Sequence, residues 1–208
     1  MKSYLHNTFN FVQKSGTIGA ASLLTLSSSQ LLADTRIFID PATKTGNYTD
    51  RATADALCEN SSANPAIAGN TVKAFLSLSD TDGIRDFPTN HNLNTNERIS
   101  RADGGLQIAS DWDALLDSTN NALDHSFEAS GKSIWTFSEA DGSLRNNLNC
   151  ENGTDGTDEE PGGYGSSGST SKTSLVKGIA ACNIGTSTAY ITFSKLSTVS
   201  APISITEW

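Results

Sequence analysis

The chain is poor in the residues on which most catalysis and nucleic-acid binding depend. It has three histidines, three cysteines, one methionine and 14 Lys and Arg in 208 residues, against 23 Asp and Glu; aromatics make up 7%. No apolar run reaches the roughly 20 residues that a membrane-spanning helix needs. A formal charge of −9 disfavours nucleic acid and anionic lipid, which are held by clustered Lys and Arg. His6 falls in a leader-like segment, so only His91 and His125 remain for chemistry. Their separation has no recognised zinc spacing. Neither a Gly-x-Ser-x-Gly elbow nor a His-Glu-x-x-His pair occurs. These absences favour a protein that is not an enzyme. No repeat of solenoid or propeller length is visible.

What is present begins with residues 1–33, which read as a secretory signal. Lys2 and Lys14 supply positive charge, Thr17 to Leu26 an apolar run, and Leu31-Leu32-Ala33 a cleavage-like end before Asp34. No Cys follows the run to take a lipid. The reading is therefore export to the periplasm, cell surface or medium, with no membrane insertion after cleavage. Loss of two lysines and no acids leaves 12 basic residues against 23 acidic ones, a charge of −11. Residues 34–208 then form a single domain, long enough to bury a sizeable core.

Within it, short apolar stretches alternate with Gly/Asn/Asp/Ser/Thr clusters, the pattern of strands joined by long ordered loops. Strands are predicted at Arg36–Ile39, Val72–Ser79, Gly105–Ala109, Lys132–Phe137 and Ala189–Leu196, with a possible extra strand or tail over 197–208 that includes Pro202–Trp208. The alternation of "AYITFSKL" turns one side to a core. A helix is predicted in "YTDRATADALCENSS", capped by Thr49 or Asp50, with Ala52, Ala56 and Leu57 or Cys58 near one face. A second is predicted in "SDWDALLDS", with Ser110 as cap, Asp113 closing a capping box, and Trp112, Leu115 and Leu116 as its apolar stripe. The stretch between Cys150 and Cys182 has too few apolar residues to hold itself against chain entropy. A disulfide between its ends would close a loop of about 33 residues and contribute about 3 to 4 kcal/mol.

The order of these pieces resembles the endostatin-like branch of the C-type-lectin-like fold, which includes bacterial secreted domains of unknown function. The matching pieces are "RIFID", "TGNYTDRATADALC", "VKAFLS", "DWDALLDS", "SIWTFSEADG", "NLNC" and "ACNIGTSTAYITF", spanning about Arg36 to Phe193. The resemblance implies an α+β domain with a core antiparallel sheet, two short flanking helices and long loops. It also implies two nested disulfides, the inner one joining positions that match Cys150 and Cys182. The outer one would join Cys58 to a cysteine in the last strand, where this chain has "TAYITF". Cys58 is thus expected to be an unpaired, buried thiol, the alternatives being an intermolecular disulfide or a reactive group. Gly153 stands where relatives commonly carry Trp. Mammalian endostatins bind heparin through arginines, but here Arg85, Arg98 and Arg101 sit among acids, which disfavours such a ligand.

Two acidic stretches invite a metal reading. "TDGTDEEPGG" gathers Asp155, Asp158, Glu159 and Glu160, enough oxygen ligands for calcium, and Glu160-Pro161-Gly162 is similar to the Glu-Pro-Asn signature of calcium-dependent lectins. Gly162, however, has no side-chain oxygen, and a solvated acidic loop is the plainer reading. "SDTDGIRDF", with Asp80, Asp82 and Asp86, has Ile84 where an EF-hand needs an oxygen, so it reads as a turn. Among aromatics that can stack on sugars, Trp112 and Trp135 read as core, Trp208 lies at the C-terminal end, and Tyr164, amid loop glycines, is the candidate contact residue. The sequence therefore points to a secreted, non-enzymatic module that binds a glycan or an envelope or extracellular protein. Its alternative is a structural subunit of a surface or extracellular assembly.

Overall fold

The structure, a computed structural model, describes residues 35–120 and 122–194. The expected leader and the 197–208 stretch, Trp208 included, lie outside them. The elements are β1 (Thr35–Ile39), α1 (Arg51–Glu59), β2 (Asn70–Ala74), α2 (Phe87–His91), β3 (Ile99–Arg101), β4 (Gln107–Ala109), α3 (Trp112–Leu116), β5 (Ser133–Trp135), β6 (Pro161–Ser166), β7 (Gly178–Ala181) and β8 (Ser187–Ser194). The fold is α+β, one eight-stranded sheet with a few short helices. None of the described helices is long and apolar enough to cross a membrane.

The strand order is β4-β3-β1-β8-β5-β6-β7, and β8 also carries β2. The sheet is mixed rather than antiparallel: β1 runs parallel to β3, and β5 parallel to β8. β8 holds it together. One edge pairs with β1; the other is shared, Ser187 and Thr188 pairing with β5 and Tyr190 to Ser194 with β2. This centrality changes how its alternation works. Ala189, Ile191 and Phe193 enter one apolar cluster with Ile37, Ile39, Phe75 and Ile134, while Tyr190 enters a second with Phe38, Leu76 and Trp135. Both faces of the strand are therefore covered, where the sequence assigned only one side to a core. Even Thr188 and Thr192 are fully buried, Thr188 by hydrogen bonding to the Tyr48 hydroxyl at 2.7 Å.

In α1 the Asp50 carboxylate caps the helix, accepting from Thr53 N at 2.7 Å. The buried face is Ala54, Asp55 and Cys58, while Ala52 and Ala56 are exposed. Asp55 turns inward because β2 offers it partners: the Ala74 N–H donates to Oδ1 at 2.9 Å and Lys73 Nζ to Oδ2 at 2.5 Å. In α3 the cap is Asp111, accepting from Ala114 N at 2.7 Å, not Ser110. Trp112 stacks on Phe87, with ring centroids 6.0 Å apart, and meets Phe75 edge-on. Trp112 and Trp135 are both core residues, 3% and 0% exposed.

Cys150 and Cys182 form a disulfide, and Cys58 is a buried free thiol. The segment between the paired cysteines is not a loose loop. Its glycines pair as β6 with β5 and β7, and the space around two of them excludes side chains. A Cβ at Gly162 would lie 2.5 Å from Cys150 Sγ and 2.7 Å from Trp135 Cζ3; one at Gly165 would lie 1.9 Å from the Ser174 carbonyl oxygen.

Candidate functional site

Where the disulfide meets the sheet, the backbone takes an uncommon path. Cys150, Glu151, Asn152 and Gly153 hold φ of 52°, 51°, 59° and 77°, one turn of left-handed helix, closed by Gly153 N–H to Asn149 O (2.7 Å) and Thr154 N–H to Cys150 O (2.9 Å). Such a turn costs an L-residue about 1–2 kcal/mol per position, so its surroundings must impose it. Asn149 Oδ1 accepts from Asn152 N at 2.9 Å. The Gly153 carbonyl accepts from Tyr48 N and Thr49 N, and Cys150 is tied to Cys182. Gly153 is required twice over, by its φ and because a Cβ would stand 2.7 Å from Leu78 Cδ2. A larger residue there has no room.

This turn forms one wall of an open cleft of about 390 Å³, within the roughly 300–1,000 Å³ range of small-ligand sites. Asn149, Glu151 and Asn152 line it from the turn. Leu144, Asn146 and Asn147 line it from the loop after β5, Ser79 and Asp80 from the turn after β2, and Glu160 from the residue before β6. Asn147 is also left-handed, with φ 61°. Each segment is fixed from behind: Leu148 O accepts from Gly163 N at 2.7 Å, Leu78 N donates to Asp82 O at 2.9 Å, and Cys182 N donates to Glu160 O at 3.1 Å. The lining is four amides, three carboxylates, one hydroxyl and one leucine. That chemistry suits a hydroxylated ligand, since amides both donate and accept while carboxylates accept.

Of the residues singled out in sequence, the cleft takes Asp80 and Glu160. Asp158 and Glu159 are exposed on the preceding turn, and Asp155 accepts from the backbone N–H and hydroxyl of Thr157. No group of three or more His, Cys, Asp or Glu among the described residues is arranged to hold a metal, so the structure does not gather Asp155, Asp158, Glu159 and Glu160 into a calcium site. Tyr164 is not on a flexible loop: it lies in β6, half-buried, paired with Trp135, its hydroxyl packed over Gly178. His91 packs edge-on against Phe87, and His125 bonds to Gln107 O at 2.8 Å; neither lines the cleft. Arg85 and Arg101 pair with Asp86 and Asp103.

The sequence reading missed the asparagines. "RNNLNCEN" was legible as a cluster, and Asn is the non-glycine residue that best tolerates the left-handed region. The signal was present, but it reads as an ordinary loop unless the disulfide and the glycine-packed strand behind it are known. The chain matches no family model, and no curated protein matches it in sequence.

Proposed function

We propose that the chain is an exported, non-enzymatic binding module of the endostatin-like branch of the C-type-lectin-like fold, and that it recognises a glycan through the amide- and carboxylate-lined cleft. The observation that carries this reading is the left-handed turn Cys150–Gly153: a strained backbone segment held in place by a disulfide and side-chain caps, presenting polar groups to an open cleft. What supports the fold is the order of the motifs together with a disulfide that spans the long segment before the last strand. The negative charge keeps nucleic acid and anionic membranes outside the proposal. A glycan array with the parent and with Asn152→Gly tests it. Glycine keeps the backbone and its N–H to Asn149 while deleting one amide, so the glycan signal should fall without loss of folding. Silence of the parent on the array, with capture of envelope proteins instead, would replace the glycan by a protein ligand.

A second reading, a subunit of an extracellular assembly, draws on β7. It is the last strand in the described order, and Ile179 on it and Ile184 just beyond are 51% and 50% exposed. Strand addition at that edge would join copies. A strict monomer at high concentration would remove this reading.

A further inference from the structure

The charge of the cleft narrows the ligand class, on the premise that the cleft is the binding site. Asp80, Glu151 and Glu160 line it, and none of the three forms an ion pair among the described residues. None of its lining residues is Lys, Arg or His. Neither nearby cation pairs with these carboxylates: Arg145 donates to Gly178 O at 3.2 Å and faces Glu139, while Arg85 donates to the backbone carbonyl of Asp80 at 3.4 Å and pairs with Asp86. Asn149, which lines the same cleft, is 9% exposed. Its Oδ1 is committed to Asn152 N at 2.9 Å, and its amide N–H2 has no hydrogen-bond partner among the described residues although the side chain lines the cleft. That amide is open to the cleft and can donate to a ligand hydroxyl or ring oxygen.

The geometry points to a hydroxylated ligand that carries a free amine, a deacetylated hexosamine chain, in preference to its N-acetylated or uronic-acid counterparts. Each sugar hydroxyl can donate to a carboxylate and accept from an Asn amide. The protonated amine supplies the positive charge that Asp80, Glu151 and Glu160 lack within the protein, in a site open enough that its worth depends on salt. A uronate brings a further negative charge to three unpaired ones. Acetylation removes the cation and adds bulk.

The test is calorimetric titration of the intact disulfide-bonded protein with a glucosamine tetramer, its fully N-acetylated form and a galacturonate tetramer, at slightly acid pH where the amine is charged. Expected is binding of the amine form at least about tenfold tighter than the acetylated one, none of the uronate, and weakening by added salt. Asp80→Asn and Glu160→Gln should each weaken the amine form several-fold. Asp158→Asn, the same charge change on the exposed turn outside the cleft, should leave it unchanged. Equal binding of the amine and acetylated forms, lost in Asn152→Gly, would overturn the amine preference while leaving the glycan reading in place. Equal weakening by Asp158→Asn and Glu160→Gln would also overturn it, showing attraction by overall charge. Binding of none of the three sugars would remove both this inference and the use of the cleft for such glycans.

Discussion

Replacing Glu151 by glycine is expected to stabilise the fold and weaken the site together. Glu151 holds φ 51° and ψ 54°, a conformation that costs an L-residue about 1–2 kcal/mol. Glycine adopts it freely, but a more mobile unfolded chain offsets roughly 0.5–1 kcal/mol of that relief. Little in the native contacts opposes the change. The bonds received from Thr154 end on the residue 151 carbonyl oxygen, which any residue supplies, and the side chain is exposed. A net gain of about 0.5–1 kcal/mol, at roughly 2–4 °C per kcal/mol for a domain of this size, raises Tm by about 1–4 °C. Glu151→Ala is the control. It deletes the same carboxylate but keeps the Cβ, so it should melt with the parent, while both variants bind ligand more weakly. Circular-dichroism melts of the oxidised proteins decide it. Glycine and alanine variants melting together would refute the reasoning, because the left-handed conformation would then carry no cost for a side chain to relieve.

Three further outcomes are expected. Cys58 is fully buried, and burial, followed by the nearby Asp55 and Asp40 carboxylates, pushes its thiol up; it should resist iodoacetamide in the native protein and label fully in denaturant, and rapid native labelling would contradict the packing. Burial, then the charges of Lys73 and Arg51, holds His91 below its ordinary value of 6.5 against the opposing pull of Asp55 and Asp82. The neutral ring is thus favoured by folding, so its contribution is present above the unfolded value and lost as pH falls through and below about 6.5; denaturant titrations from neutral to acid pH should show a shallower loss in His91→Gln, and an unchanged slope would exclude this group. Gly162→Ala, forced against Cys150 Sγ and Trp135, should lose about 1–3 kcal/mol in urea unfolding, whereas Gly104→Ala, with nothing within 4 Å of the added carbon, should lose far less.

Elements whose local chemistry and packing agree were readable in advance. The Asp50 cap and first turn of α1, the short helix at Trp112, and the alternating residues of β8 carry their structure in their own sequence. Less readable were positions where tertiary context overrules propensity. β6 is "PGGYGS", a composition that argues against a strand; its glycines are there because Cys150, Trp135 and the Ser174 carbonyl leave no room for a Cβ. β3 and β7 are three and four residues long, too short for a period to show. The cleft was half visible, through Glu160 and Asp80, and half hidden, because what distinguishes Asn149 and Asn152 from loop asparagines is a backbone hand that periodicity does not report. Tyr164 was misplaced for the same reason as β6.

The dependence of the whole sheet on β8 sets the timing of assembly. Three strands from three distant parts of the chain, β1, β2 and β5, wait for the same eight residues, Ser187–Ser194. While those residues are still being synthesised, β1 has only its short parallel neighbour β3, β2 has no strand partner among the described ones, and β5 can join only β6. Native closure cannot creep along the growing chain and must come late, in one step dominated by long-range pairing, which is intrinsically slow. That lateness keeps the described residues pliable until β8 is available to pair.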